Sequence, residues 1–297
     1  MTHPLTRRQL LGRTTALSAA ALAAPGVRAA ADSLARPPRL VTVGGGITEV
    51  VYQLGAQDQL VGTDTTSLYP PAALATPKVG YLRQLSAEGL LALRPDAVIA
   101  PGDAGPPVVI DQLRSAGVRV DLVASSHDWD EVRRKVLAVG QAASREARAR
   151  ELMERLDEAW ARTRARVAAH RGRAPRVLFV LAHSGSPTVS GEQTAAHAVI
   201  TLAGARNALG GFQGYRPMTA EAMAAAAPDV ILTSTQSIEA IGGAEAFWRR
   251  PELALTPAWQ RRAAGRSLVS IDALALLGFG PRLPAVVGDL HDRLMNA

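Results

Sequence analysis

The chain has 297 residues, enough for one large or two ordinary domains with substantial cores. With 47% hydrophobic and 20% charged residues it has a globular composition, and because it has no cysteine, disulfides, thiolate metal sites and cysteine nucleophiles are excluded. The formal net charge is +7, but four arginines and no acidic residue lie in the first 31 residues, so the remaining chain carries +3. This small excess gives no reason to expect nucleic acid as a partner.

Residues 1–31 have the pattern of an export signal. Arg7 and Arg8 precede an alanine-rich run over residues 14–24, and small residues close the segment at 29–31. A basic start, a short apolar middle and a small-residue end are typical of a cleaved signal, and the paired arginines indicate the twin-arginine type. An amphipathic helix is the alternative. We expect export to a bacterial periplasm, and no other run approaches the ~20 apolar residues of a membrane span.

Residues 32–128 are predicted to form an α/β lobe, because strands and helices alternate there with short connections. The predicted strands are 39–43, 60–63, 97–100 and 118–123, and the predicted helices are 48–54, 86–93 and 108–116. Three glycines at 44–46 follow the first strand, and residues 64–77, rich in Thr, Ser and Pro, form a long loop after the second. This alternation indicates a parallel sheet.

Residues 129–171 have the strongest helical pattern in the chain. They contain no proline, and from Ser144 onwards apolar or small side chains recur at close to helical spacing, with arginine and glutamate on the other faces. Ser144 is the predicted N-cap. A helix over 144–170 would be roughly 40 Å long at 1.5 Å per residue. We therefore predict one long helix that connects two lobes.

Residues 172–297 are predicted to form a second lobe similar to the first. The predicted strands are 176–181, 230–233 and 267–271, and the predicted helices are 194–202, 220–227, 245–248, 257–261 and 284–294. The pattern of an arginine, a hydroxyl residue, Ala-Glu and then Pro-Asp, which runs from Arg83 to Asp96, recurs at a constant offset of 133 from Arg216 to Asp229. We predict two similar α/β lobes with open, mainly parallel sheets and a ligand cleft between them, beyond the carboxyl ends of the strands.

Four features together resemble the substrate-binding proteins of ABC importers for siderophores, cobalamin and heme. They are the export signal, the two lobes, the connecting helix, and Glu88 and Glu221 at matching positions of the repeat. Four segments resemble the periplasmic hemin-binding subgroup more narrowly: the glycines at 44–46, the loop at 64–70, the block at 77–89 and the motif at 214–217. The resemblance implies a monomeric, non-enzymatic carrier that binds hemin as its transported ligand and delivers it to an inner-membrane ABC permease dimer.

Tyr69 matches the loop tyrosine that is the axial ligand of heme iron in this subgroup. A phenolate is a hard anionic donor that suits Fe(III), and tyrosine is an established axial ligand. A tyrosine that packs against Pro70 and Pro71 in a turn is the alternative. Arg83 and Arg216 hold equivalent positions in the repeat, and their forked side chains suit the heme propionates or could favour the phenolate form of Tyr69.

Glu88 and Glu221 match the pair, one per lobe, with which this family docks onto permease arginines. A carboxylate in the first turn of a helix is also stabilised by the helix dipole, and both roles are compatible.

His183 follows a predicted strand and could be a second axial ligand or contact a second heme, and Tyr215 could stack on the porphyrin. The same fold with a ferric siderophore or cobalamin is the main alternative function. An exported hydrolase is the remote one, because Ala182 and Ser186 stand where a G-x-S-x-G elbow around Ser184 needs glycines.

Overall fold

The computed structural model describes residues 36–182 and 187–297. Pro38–Ala297 form one compact unit, and the residues before Pro38 form a separate unit, of which only two residues of irregular chain are described. The predicted export signal lies outside the described residues, as do His183 and Ser184. In the part of the chain that is described, no helix is both long and apolar enough to cross a membrane.

The first lobe is built on a parallel sheet, four-stranded within the described residues, in the order β2-β1-β3-β4. Its elements are β1 (Leu40–Thr42), α1 (Gly45–Gln53), β2 (Leu60–Thr63), α2 (Ala87–Ala92), β3 (Ala97–Pro101), α3 (Pro107–Ser115) and β4 (Arg119–Val123). Alternate strand residues pack on opposite faces: Leu40 and Ile99 join the core with α1, whereas Val41 and Val98 join the core with α2 and α3. Both faces are covered, as in other parallel sheets.

The second lobe contains a mixed sheet in the order β10-β9-β5-β6-β8, with β7 also paired to β5. Its elements are β5 (Arg176–Leu181), β6 (Thr188–Ser190), α6 (Ala195–Leu202), β7 (Arg206–Asn207), β8 (Tyr215–Pro217), α7 (Ala220–Ala226), β9 (Val230–Ser234), α8 (Thr235–Ile241), α9 (Ala244–Trp248), α10 (Pro257–Gln260), β10 (Leu268–Ile271), α11 (Ala273–Leu277) and α12 (Leu283–Met295). β5, β9 and β10 are parallel, whereas β6 is antiparallel to both β5 and β8. The predicted α/β fold with mainly parallel sheets is confirmed, and the lobe boundaries at 128 and 172 remain predictions.

The repeated segments fold in the same way in both lobes. Oδ2 of Asp96 accepts from the backbone N–H of Arg39 at 2.7 Å, and Oδ2 of Asp229 accepts from that of Arg176 at 2.9 Å. Each arginine side chain also donates to a carbonyl at the end of the helix that precedes the Pro-Asp, which is α2 for Arg39 and α7 for Arg176. The Pro-Asp of the repeat therefore anchors two neighbouring strands to one helix end in each lobe, and the predicted repeat is confirmed.

The connecting segment consists of two helices, α4 (Trp129–Ala142) and α5 (Glu146–Ala169). The predicted N-cap at Ser144 is wrong: Ser144 has φ +54°, and Arg145 holds the N-cap position of α5. The chain turns there because the N–H of Arg145 bonds back to the carbonyl of Gly140 at 2.7 Å, which ends α4. At 24 residues α5 is roughly 36 Å long, close to the predicted length.

Helix α5 packs into the cores of both lobes. Ala149, Leu152 and Met153 join the core of the first lobe, and Trp160 joins the core of the second. Trp160 also stacks on Trp129 of α4, with ring centroids 5.1 Å apart. The helix therefore joins the lobes through side-chain packing along its length.

The lobes also touch directly through backbone. Helix α1 begins at Gly45, earlier than the predicted start at 48, and Gly46 in its first turn packs against the segment from Gly278 to Gly280 of the second lobe. A Cβ on Gly280 would lie 3.1 Å from the Cα of Gly46. Buried Lys135 holds the same segment by donating to the carbonyl of Gly278 at 2.8 Å. The glycines of the first lobe thus allow close contact between the lobes.

Candidate functional site

Tyr69 lies on the loop that follows the carboxyl end of β2, and two charged residues hold this loop: the buried Asp64 and the exposed Lys78. Oδ1 of Asp64 accepts from the Gly44 N–H at 2.9 Å and from Ser67 Oγ at 2.6 Å. Nζ of Lys78 donates to the carbonyls of Ser67 (3.0 Å) and Ala73 (3.1 Å), on either side of Tyr69. Desolvation lowers the pKa of Lys78, and the nearby Asp64 opposes this effect. This hydrogen bonding therefore fixes the backbone on both sides of Tyr69.

Tyr69 is accessible, and other large hydrophobic residues near it in sequence are exposed as well. Its side chain is 41% exposed, and Leu68, Leu74 and Tyr81 nearby in sequence are also exposed large hydrophobic residues. The peptide bond between Tyr69 and Pro70 is cis. An exposed phenol on a segment that also exposes large apolar side chains suits a flat, hydrophobic ligand that carries a metal.

Arg282, from the second lobe, covers the ring of Tyr69. Its guanidinium carbon lies 4.0 Å from the ring centroid. Nε of Arg282 donates to Oε2 of Glu49 at 2.9 Å, Nη2 donates to Oε1, and Asp272 lies 3.5 Å away. Glu49 is 3% exposed. Tyr69 is therefore in contact with an arginine that is itself fixed by a buried carboxylate of the first lobe.

Glu49 and Arg282 shift each other's pKa. Burial raises the pKa of Glu49, and the hydrogen bond and charge of Arg282 oppose that rise. Burial would lower the pKa of Arg282, but the hydrogen bond and charge of Glu49 outweigh it and the pKa is raised. The arginine therefore stays a cation beside the tyrosine ring.

Arg83 has polar partners within its own lobe. Its Nη1 donates to the Tyr81 hydroxyl at 2.7 Å, and its Nη2 forms an ion pair with Asp103. Burial would lower the pKa of Arg83, but Asp103 and the other partners outweigh it. The guanidinium of Arg83 is thus already engaged with a carboxylate.

Tyr215 and Arg216 lie on β8 of the second lobe and are both exposed. Burial raises the pKa of the Tyr215 hydroxyl, and a hydrogen bond with Thr194 and the charge of Arg83 oppose this rise. Arg216 stacks on Phe212 at 4.5 Å. Among the described residues no carboxylate forms an ion pair with Arg216, so its charge is available to a ligand.

Glu88 and Glu221 occupy the same position in α2 and α7. Both are exposed, and both lie in the first turn of a helix, after the N-caps Ser86 and Thr219. The predicted equivalence of the two glutamates is therefore present in three dimensions.

The structure brings some of the predicted site residues together and separates others. Tyr69 contacts Arg282 of the second lobe, and within the described residues neither Arg83 of the first lobe nor Arg216 of the second makes a hydrogen bond or a cation–π contact with Tyr69. Sequence reasoning missed both Arg282 and Glu49. One pattern could have indicated the pair: Glu49 lies among apolar residues at the buried start of a helix, and a buried carboxylate needs a charged or hydrogen-bonding partner.

Several solved structures to which this chain is similar are periplasmic heme-binding proteins. The chain is 47% identical to the periplasmic heme-binding protein BhuT, solved with two hemes, with a TM-score of 0.81 over 87% of this chain and 98% of that one. It is 34% identical to RhuT from Roseiflexus sp. RS-1 (TM-score 0.81, 88% and 98% of the chains) and 36% identical to a periplasmic heme-binding protein from Pseudomonas aeruginosa (TM-score 0.78, 88% and 94%).

Curated relatives are more distant and more varied. A vitamin B12-binding protein of Yersinia pestis is 26% identical over 250 residues, which is 80% of this chain and 84% of that protein. An uncharacterized ABC transporter substrate-binding lipoprotein of Bacillus subtilis is 26% identical over 202 residues, and the match spans 67% of this chain and 64% of that relative's length. A family model for periplasmic binding proteins matches residues 40–263. The chain therefore belongs to the periplasmic binding protein family, and its fold is that of the heme-binding members.

Proposed function

We propose that this protein binds hemin in the cleft between its lobes and delivers it to an inner-membrane ABC permease. The observation that carries the proposal is the exposed Tyr69, held on a hydrogen-bonded loop that follows the carboxyl end of a parallel strand. Tyrosine oxygen is a suitable axial ligand for ferric heme. The heme-binding relatives support the same ligand class.

The test is a comparison of ligands on the purified mature chain. Hemin, cobalamin and a ferric siderophore are titrated separately, and binding is followed by absorbance and by calorimetry. Saturable hemin binding that is much tighter than binding of the other two supports the proposal. Tight cobalamin binding with weak, non-saturating hemin binding would favour the alternative carrier, which the similarity to vitamin B12-binding proteins makes a real candidate.

We assign the propionate contacts mainly to Arg216. It is exposed and forms no ion pair with a described carboxylate, whereas Arg83 is paired with Asp103. An arginine already bound to a carboxylate has less to gain from a second one. Arg216→Gln should therefore weaken hemin binding more than Arg83→Gln does, and the reverse order would contradict the assignment. We also retain Tyr215 as a porphyrin contact and His183 as a second contact to iron, to be tested by Tyr215→Ala and His183→Ala.

We assign permease docking to Glu88 and Glu221, which are exposed at equivalent positions in the two lobes. The assay is stimulation of ATP hydrolysis by the reconstituted permease. Glu88→Lys and Glu221→Lys should each reduce stimulation, and the double variant should abolish it, while hemin affinity stays unchanged. Full stimulation by the double variant would exclude this docking mode.

We further propose that residues 1–31 direct the chain to the periplasm by the twin-arginine route. Replacing Arg7 and Arg8 by lysine should retain the protein in the cytoplasmic fraction in a twin-arginine-competent bacterium. Normal export of this variant would indicate another type of signal.

A further inference from the structure

The face of the Tyr69 ring is occupied, whereas its hydroxyl is free for a ligand. Arg282 stacks on the ring with its guanidinium carbon 4.0 Å from the centroid. Among the described residues, the Tyr69 hydroxyl makes no hydrogen bond. A side chain held by its face keeps the lone pairs of its oxygen available for a metal. This arrangement would fix the ring without competing with iron.

Arg282 can fix the position of the Tyr69 ring because hydrogen bonds to a buried carboxylate fix its own side chain. Its side chain contacts both carboxylate oxygens of Glu49, whose side chain is 4% exposed, and Asp272 lies on a further side. Arginine combines a planar face that stacks on aromatic rings with a fork that matches a carboxylate. Lysine keeps the charge but has no planar group that could make both contacts.

The three residues connect the two lobes at the candidate ligand site. Tyr69 and Glu49 belong to the first lobe and Arg282 precedes α12 of the second, 233 residues after Glu49. When iron converts the phenol to a phenolate, the new negative charge lies next to the cation of Arg282. Without Arg282, the buried carboxylate of Glu49 would lose the side chain that donates to both of its oxygens.

We propose that Arg282 is the positioning residue for the iron ligand Tyr69, and that Glu49 fixes Arg282 for this role. The inference deepens the proposed function and depends on it for its hemin measurements. A cation–π contact that is partly shielded from water contributes enough to change affinity several-fold. Arg282→Gln should lower hemin affinity by about five- to thirtyfold, and Arg282→Lys and Glu49→Gln should cause smaller losses.

The first test does not require hemin. The chain has four tyrosines, so NMR of apo protein with ¹³C-labelled tyrosine rings gives few signals, and the Tyr69 signal is the one lost in Tyr69→Phe. Arg282→Gln should shift or broaden the Tyr69 signal and leave the other three in place. Arg293→Gln is the matched control, since Arg293 forms an exposed ion pair with Asp289 within α12. If the Tyr69 signal is unchanged in Arg282→Gln, the positioning role is wrong.

The second test measures hemin affinity and dissociation rate for the same variants, with thermal unfolding to confirm that each one is folded. If Arg282→Gln does not fold, Arg282→Lys carries the test. Loss of affinity together with a changed Tyr69 signal supports the proposal. Loss of affinity with an unchanged Tyr69 signal overturns it, because Arg282 would then act on hemin directly. If the wild type does not bind hemin, the proposed function fails, while the apo NMR result still decides the positioning role.

Discussion

Replacing Gly46 by alanine should destabilise the protein by forcing the two lobes apart where their backbones meet. A Cβ on Gly46 would overlap the carbonyl oxygen of Gly278 and would lie 3.3 Å from the Cα of Gly280. Both neighbours are backbone atoms, so no side chain can rotate away. The segment that would have to move is also held by Lys135, which donates to the carbonyls of Gly278 and Phe279.

The size of the effect follows from two opposing contributions. Overpacking of a tight contact costs about 1–3 kcal/mol. Alanine is favoured over glycine in a helix by up to about 1 kcal/mol, which offsets part of this cost. Because the close atoms are backbone atoms, we expect the upper part of the overpacking range, about 2–3 kcal/mol, and a net loss of about 1–2 kcal/mol in the free energy of unfolding. For a protein of this size the midpoint of thermal unfolding should fall by about 2–8 °C.

The matched control is Gly89→Ala in the first turn of α2. A Cβ there would meet only the side chain of Ser86 at 3.8 Å, which is an ordinary contact, so helix propensity should dominate. Urea and thermal unfolding of both variants give the comparison. Gly46→Ala should be less stable than the wild type and Gly89→Ala equally or more stable. If Gly46→Ala matches or exceeds the wild-type stability, the tight contact between the lobes is refuted.

Three further predictions concern the loop, the strand anchors and the connecting helix. Lys78→Met removes the donor to the carbonyls on either side of Tyr69, so hemin affinity should fall several-fold by calorimetry; unchanged affinity would mean that the loop holds its shape without Lys78. Burial would raise the pKa of Asp229, but hydrogen bonds from Arg176 and other arginines outweigh it and the pKa lies below the ordinary 3.8. The stabilisation from Asp229 is therefore present above pH 3.8 and lost as the pH falls through the lowered pKa. Asp229→Asn should be less stable than the wild type at pH 7, and the difference in their free energies of urea unfolding should narrow towards pH 3. A difference that stays constant with pH contradicts this prediction. Trp160→Ala should cost about 3–5 kcal/mol in urea unfolding because Trp160 packs in the core of the second lobe, and a loss below 1 kcal/mol would contradict that packing.

Hydrophobic alternation and turn residues were sufficient to predict most of the strands and helices. The sequence predicted β2 and β5 with the bounds that the structure has. It did not predict β6, β7 and β8, because strands of two or three residues are too short to show a period of two. The repeat was visible because the Pro-Asp anchors are local patterns that occur twice.

Contacts between the lobes could not be predicted from local patterns. Ser144 has the side chain of an N-cap, but its backbone is left-handed because it closes the preceding helix. The sequence placed Gly46 between the first strand and a helix that begins at residue 48, whereas Gly46 lies in the first turn of α1 against the opposite lobe. Arg282 and Glu49 are far apart in sequence, and nothing near Arg282 marks it as a site residue. Tertiary packing decides the positions of Gly46, Glu49 and Arg282, whereas the conformation of Ser144 follows from the way in which α4 ends.

The most direct test of hemin binding through Tyr69 is the absorption and resonance Raman spectrum of the ferric complex during a hemin titration. The comparison includes the wild type, Tyr69→Phe and a control, Tyr52→Phe. The control replaces a half-buried tyrosine of α1. The wild type and Tyr52→Phe should saturate and show tyrosinate-to-iron bands, and Tyr69→Phe should lose these bands and bind hemin more weakly. Retention of the tyrosinate bands in Tyr69→Phe, or non-saturating binding by the wild type, would contradict the assignment of Tyr69 as the iron ligand.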